Sequence, residues 1–219
     1  VSIDIDGTLG DYHRHFLNFA SAYMGLRKQD WIQPEEYNGV RGFKDWFLDR
    51  TEQPADVWYD IKLAYRQGAQ KRSMPVRPWA AGLTRQVKAL GAELWLCTTR
   101  PYLRLDGIDP DTRFWLAHHG IVYDHLLYDE HKYMELARRI DPERVCAILD
   151  DLPEDLIEAG NIFGRMVCIL IRASHNVKAI DMDLPFEDVH EGISAYNKIK
   201  ERVDGWFAAH EEHGTPVRS

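Results

Sequence analysis

Asp4-Ile5-Asp6-Gly7-Thr8 closes the first apolar run of the chain, residues 1–5. In a strand, residues i and i+2 face the same side, so Asp4 and Asp6 bring two carboxylates to one strand end. Gly7 permits a sharp turn directly behind them. Three further apolar runs, 94–98, 145–149 and 167–171, have the length and flanks of buried parallel strands, and 121–128 holds a weaker fifth. Stretches of helical period separate them: 81–90 ending at Gly91, 112–119 ending at Gly120, 132–140 before Asp141-Pro142, and 153–163 opening on Pro153. Strands alternating with helices predict an α/β fold, a doubly wound parallel sheet flanked by helices. Ligands bind such sheets at the carboxyl ends of the strands, where Asp4 and Asp6 stand. One carboxylate there could act as a nucleophile and the other as a proton donor and acceptor.

The interval 11–78 breaks the alternation. It contains amphipathic segments at 12–23, 43–50 and 56–69 and no convincing core strand. The expected division is an α/β core of residues 1–10 and 79–219, with an all-helical insertion at 11–78 after the first strand. Twelve of the 25 aromatic residues fall in that insertion. A small helical unit needs aromatics for its own core; a few could instead line a pocket for a flat ligand. At the far end, 193–207 reads as a surface helix and 208–219 as a polar tail.

Composition bounds the function. With 219 residues, the chain can bury a full core without disulfides. Cys97, Cys146 and Cys168 each lie in an apolar run, with no metal-type spacing, and read as reduced core thiols. No run approaches the ~20 apolar residues of a membrane span, and no signal-peptide pattern is present. The expectation is a cytoplasmic protein with no membrane partner. A net charge of -8 argues against coating a nucleic-acid backbone, though it leaves room for a local basic pocket.

Other strand ends are also polar. The run 94–98 leads into Thr98-Thr99-Arg100, where hydroxyl and backbone N–H groups could hold phosphate oxygens. Lys132 opens a helix after 121–128. The run 145–149 ends in Asp150-Asp151, hard oxygen ligands suited to Mg²⁺. Each piece alone has a plain structural reading, as a turn, an N-cap or a surface charge. In this order on this pattern, the set resembles the four motifs of the haloacid dehalogenase-like (HAD) superfamily phosphatases over about residues 1–10 and 79–175. A receiver domain uses similar residue types in a different order.

The resemblance implies a HAD-like Rossmannoid core with an inserted helical cap, and it implies roles. Asp4 would be the nucleophile, forming an aspartyl-phosphate. Asp6 would protonate the leaving alkoxide and then activate water. Thr98 and Lys132 would bind the phosphoryl group; beside them Thr99 and Arg100, read from the residues themselves, are candidate phosphate contacts, with a solvated surface charge the plainer reading of Arg100. Asp4, the backbone carbonyl of Asp6 and the Asp150–Asp151 pair would hold Mg²⁺. A whole helix separates Lys132 from Asp150; Lys178 is a weaker substitute.

Two subfamilies fit best. The reach from Asp6 to Thr98 and the sequence Leu96-Cys97-Thr98-Thr99 resemble the 5′(3′)-deoxyribonucleotidases, which implies aromatic cap residues against a nucleobase. Tyr12, Phe43, Trp46 and Trp58 are the candidates. Thr112-Arg113-Phe114-Trp115 and the stretch leading on to Lys132 resemble polynucleotide kinase 3′-phosphatase domains, which puts a nucleic-acid 3′ end in play as substrate. No GxxxxGK[ST] kinase loop occurs. The expected partner is a small-molecule phosphate ester, a nucleotide foremost. A catalytically silent binding protein on the same fold is the third reading. Among the 10 histidines, His13 and His15 could touch substrate, with surface or cap positions the plainer reading. The residues leave the oligomeric state open.

Overall fold

The computed structural model describes residues 1–25, 44, 48, 54–101, 105–176, 187–189 and 192–211. Six parallel strands form one sheet in the order β3-β2-β1-β4-β5-β6. They are β1 (Ser2–Ile3), β2 (Trp95–Thr98), β3 (His125–Tyr128), β4 (Ile148–Asp150), β5 (Cys168–Ile171) and β6 (Glu187–Val189). The expected α/β architecture is present. The weak run 121–128 yields a strand over its last four residues. The edge strand β6 has only three residues and no apolar run, so nothing in the sequence announces it.

Seven α-helices are described: α1 (Tyr12–Met24), α2 (Ala55–Gln67), α3 (Ala80–Ala89), α4 (Ile108–His118), α5 (Lys132–Arg139), α6 (Pro153–Phe163) and α7 (Gly192–Glu211). Gly91 ends the α3 segment at φ 82°, as its position after the helical period predicts. Helix α4 starts four residues earlier than the apolar period indicates. Pro110 is its third residue, where its missing N–H breaks no helical bond.

Side-chain alternation along the strands sorts the core into two layers. Ile3, Leu96, Leu149 and Ile169 pack on one face with Leu83 and Val87 of α3 and Ile199 and Val203 of α7. Cys97, Ile148, Cys168 and Leu170 pack on the other with Tyr133 and Leu136 of α5 and Leu156 of α6. Helices on both faces force parallel strands buried on both sides, which is why these runs are continuously apolar. Phe16, Leu17 and Ala20 of α1 close a third cluster with Trp58, Ile61 and Tyr65 of α2. Among the described residues, no helix is long and apolar enough to cross a membrane. Cys97 and Cys168 are buried and Cys146 half-buried, all free thiols. Burial raises Cys97 and Cys168 to about 11, which withholds the nucleophilic thiolate.

Candidate active site

Beyond β1 the backbone carries Asp4 into a tight turn. The Gly7 N–H donates to the Gly10 carbonyl at 2.9 Å, and the N–H groups of Leu9 and Gly10 both donate to Ile5. Gly7 has φ 102°, and a Cβ placed there would lie 2.1 Å from Asp151 Oδ2. The glycine therefore serves backbone freedom and also admits the end of β4 against the turn. Thr8 completes the join, its hydroxyl donating to Asp151 Oδ1 at 2.9 Å.

Lys132, the first residue of α5, reaches across the same strand ends. Its Nζ is 2.7 Å from Asp4 Oδ1, 2.7 Å from Asp150 Oδ2 and 3.1 Å from Asp155 Oδ2. Helix α5 is short and the chain re-enters the sheet at β4, so the long spacing in sequence closes in space. Tyr133 Oη donates to Asp150 Oδ2 at 2.5 Å and Leu152 N–H to Oδ1 at 3.0 Å. Burial raises Asp4 well above the ordinary carboxylate range, with Lys132 opposing and Asp150 and Asp151 reinforcing. Asp150 is raised to about 6 by burial, again against Lys132. Burial alone would lower Lys132, but Asp150 and Asp4 hold it well above its usual value. One ligand atom from each of Asp4, Asp150 and Asp151 lies within 4.8 Å of the others. This all-oxygen donor set fits a hard divalent ion such as Mg²⁺. Thr98 ends β2 beside this group, and its hydroxyl is buried with no hydrogen-bond partner. A buried orphan donor needs an explanation, and a bound oxyanion would supply one.

Asp6 sits in a different setting. Arg100 grips it through Nε to Oδ2 at 3.0 Å and a terminal nitrogen to Oδ1 at 2.6 Å. Lys71 Nζ donates to Oδ2 at 2.5 Å. Thr112 Oγ1 accepts from Arg100 at 2.6 Å and in turn donates to the Ile108 carbonyl, tying α4 to the site. Lys71 also lies 3.9 Å from the ring centre of Tyr12. Burial would raise Asp6, but Arg100 and Lys71 outweigh it and hold the carboxyl far below the usual range. Burial depresses Lys71 to about 7 despite the attraction of Asp6. In this arrangement the two cations favour the ionised form of Asp6.

No family model and no curated protein matches the chain. Solved structures do. A haloacid dehalogenase-like hydrolase from Streptococcus pneumoniae superposes with a TM-score of 0.61 at 15% identity, over 89% of this chain and 94% of its own. A protein from Clostridium acetobutylicum described as a predicted phosphatase gives 0.63 at 16%, over 91% and 97%. One from Lactobacillus delbrueckii subsp. bulgaricus, provisionally assigned as a phosphoglycolate phosphatase, gives 0.63 at 12%, over 90% and 96%. The fold is haloacid dehalogenase-like. At these identities the likeness speaks for architecture, and chemistry has to be read from the residues.

On this HAD-like framework the expected site residues divide. Asp4, Asp6, Thr98, Arg100, Lys132, Asp150 and Asp151 come together at the carboxyl end of the sheet. Arg100, a candidate phosphate contact whose plainer reading is a solvated surface charge, is 3% exposed. Thr99 is exposed. Tyr12 is half-buried under Lys71, near Asp6. Trp58, expected to offer a face to substrate, is corrected. It is 2% exposed, with its ring 5.4 Å from Phe16 in the α1–α2 core, because a two-helix unit must fill its own centre first. Phe43, Trp46 and Lys178 lie outside the described residues. His13 faces Asp151 rather than solvent, 3.3 Å from Oδ2, and His15 Nδ1 pairs with Tyr65 Oη at 2.8 Å. Sequence reasoning missed Lys71, Thr112 as the anchor of Arg100, and His175, whose Nε2 is 2.5 Å from Asp151 Oδ2. Lys71 stands in the charged run Gln70-Lys71-Arg72-Ser73, which reads as solvated surface; nothing local marks it as 4% exposed.

Proposed function

We propose that this chain is a Mg²⁺-dependent phosphomonoesterase that works through an aspartyl-phosphate on Asp4, with a nucleoside monophosphate as the foremost substrate. The observation that carries this reading is Lys132 bridging Asp4 and Asp150 at 2.7 Å each beside Asp151. With every carboxylate ionised, Asp4, Asp6, Asp150, Asp151 and Asp155 against Lys71, Arg100 and Lys132 leave a formal charge of −2, which one divalent ion balances. Bound there, the ion would offset charge on the phosphoryl oxygens and screen Asp4 from its acidic neighbours.

The chain's own groups would do the rest. Asp4 Oδ attacks phosphorus and the bond to the leaving oxygen breaks. Lys132 and the Thr98 hydroxyl hold the transferring oxygens. An incoming phosphate dianion competes with Asp6 for Arg100 and Lys71, and that competition raises the affinity of Asp6 for a proton. Asp6 can then protonate the leaving oxygen and, ionised again, take a proton from the water that hydrolyses the aspartyl-phosphate. The α1–α2 unit, read with residues 11–78 as an inserted cap, would cover this site and choose the substrate, with Tyr12 as the aromatic residue placed to meet it.

Within this class we read the chain as a 5′(3′)-deoxyribonucleotidase. One observation favours the polynucleotide 3′-phosphatase instead. Arg100 and Lys71 supply two cations to the single carboxylate Asp6, and Thr112 links Arg100 to α4, so a second phosphate of a strand end would find a partner. The deciding experiment offers deoxynucleoside 5′- and 3′-monophosphates, sugar phosphates and a 3′-phosphorylated oligonucleotide, with Mg²⁺ and with chelator. Release from mononucleotides, lost on chelation, supports the first reading. Preference for the oligonucleotide supports the second. Silence across the panel returns the chain to a binding role.

A further inference from the structure

Asp151 has a second side. While Thr8 occupies Oδ1, two imidazoles converge on Oδ2: His13 Nε2 at 3.3 Å and His175 Nε2 at 2.5 Å. The two rings stack with centroids 3.6 Å apart and 22° between their planes. The three residues come from three separate places in the fold: the start of α1, the end of β4 and the turn after β5. His175 is 5% exposed and the His13 side chain 14%. The turn that carries His175 is pinned. Asn176 donates to the Asp151 carbonyl at 2.8 Å and to the Ile171 carbonyl at 2.9 Å, and accepts from Ala173 N–H at 2.9 Å.

Hydrogen bonding alone explains this arrangement incompletely. If both Nε2 atoms carry protons, two N–H donors from stacked rings crowd a single carboxylate oxygen, and their hydrogens repel one another. A cation in place of those protons turns both nitrogens into ligands. One atom from each of His13, Asp151 and His175 already lies within 4.8 Å of the others. Metal–ligand bonds of about 2.0–2.2 Å place neighbouring ligand atoms about 3.0–3.5 Å apart. The His13–Asp151 distance fits as it stands; His175 would have to move back by under about 1 Å, and the stacked rings would have to splay so that both Nε2 lone pairs meet at the ion. Two imidazoles and one carboxylate suit Zn²⁺, Co²⁺ or a similar ion far better than Mg²⁺, which prefers oxygen.

We propose that His13, Asp151 and His175 form a second divalent-cation site, selective for an imidazole-preferring ion and sharing Asp151 with the all-oxygen group at Asp4 and Asp150. The proposal does not depend on which phosphate ester, if any, the chain hydrolyses. Its test is titration of the full chain with Co²⁺, read by visible absorption, and with Zn²⁺ by calorimetry, both in excess Mg²⁺. The expected result is one Co²⁺ per chain that excess Mg²⁺ fails to displace, with a spectrum indicating nitrogen ligands. His13→Ala and His175→Ala should each weaken it by at least about tenfold. Asp4→Asn should retain it, because Asp4 belongs to the oxygen-only group. Displacement by Mg²⁺, or full Co²⁺ affinity in His13→Ala, overturns the proposal and leaves the histidines as hydrogen-bond partners of Asp151. His13→Ala decides the matter if His175→Ala, at the more buried position, fails to fold.

Discussion

Asp4 and Asp6 stand two residues apart in one turn. Asp4 shares Lys132 with Asp150 and Asp155, whereas Asp6 is held by both Arg100 and Lys71. Burial presses both carboxyls toward the neutral form, yet Asp4 ends well above the ordinary range and Asp6 far below it. The difference lies in the cations each can reach. The Asp4 side is short of positive charge and would accept a metal ion. Below about pH 7, where Lys71 keeps its proton, the Asp6 side holds one cation more than its carboxylate needs and would accept an anion. A phosphate ester carrying its transferring group toward Asp4 would lie along that polarity.

Breaking the Asp4 side should cost most. Asp4→Asn removes the proposed nucleophile while keeping its shape, and phosphate release in Mg²⁺ should fall by about 10³-fold or more. Full activity in this variant would end the aspartyl-phosphate reading. Lys132→Met comes next. It leaves Asp4, Asp150 and Asp155 without their shared cation, and removing one partner of a buried ion pair costs about 3–5 kcal/mol. Denaturant melts in chelator should show that loss, and added Mg²⁺ should restore part of it by binding the folded state. If Mg²⁺ leaves the midpoint unchanged, the acidic group is no metal site.

Arg100→Lys tests the Asp6 side more gently. The charge stays, but the two-pronged grip on Asp6 and the bond to Thr112 cannot both be kept by one ammonium. Activity should fall by about tenfold, the loss of one good charge-assisted bond. Because Asp6 would be held less firmly, its proton affinity should rise, and the basic limb of the pH–rate profile, which reports Asp6 as the acid for the leaving oxygen, should move to higher pH; the acid limb belongs to Asp4, which must be ionised to attack. An unchanged limb would mean that Arg100 does not govern Asp6.

The sheet was legible because its strands are buried on both faces and read as unbroken apolar runs, and because Asp4, Thr98, Lys132 and Asp150 each stand next to such a run. Those signals are local. What stayed illegible depends on contacts across the chain. Lys71 meets Asp6 from 65 residues away and His175 meets Asp151 from 24; neither neighbourhood carries a motif. Trp58 shows the converse limit. Its place on α2 is readable from the sequence, but whether its ring faces inward or toward the site depends on where α1 lies. Edge strand β6, with three residues and a single buried apolar one in Val189, has too little pattern to announce itself.

The remaining effect, spread over several pH units, is the most specific to the Asp6 side. Lys71 has its proton affinity lowered to about 7 by burial, against an ordinary value of 10.5. Below pH 7 it is protonated in both folded and unfolded chains, and the folded state bears the full cost of burying the charge. Between pH 7 and 10.5 the unfolded chain still binds the proton while folded Lys71 has released it. Stability from this group therefore rises with pH across that window, by no more than about 1.4 kcal/mol per unit for one proton. Lys71→Met cannot release a proton and should lack the rise, while Arg100 continues to hold Asp6. Urea midpoints at pH 6.5, 8 and 9.5, taken as the difference between wild type and variant, isolate this one titration from every other lysine. A difference that stays flat across the window would show that Lys71 keeps its charge cheaply. Its contact with Asp6 would then be an ordinary ion pair, and the surplus of positive charge there would have to be assigned to Arg100 alone.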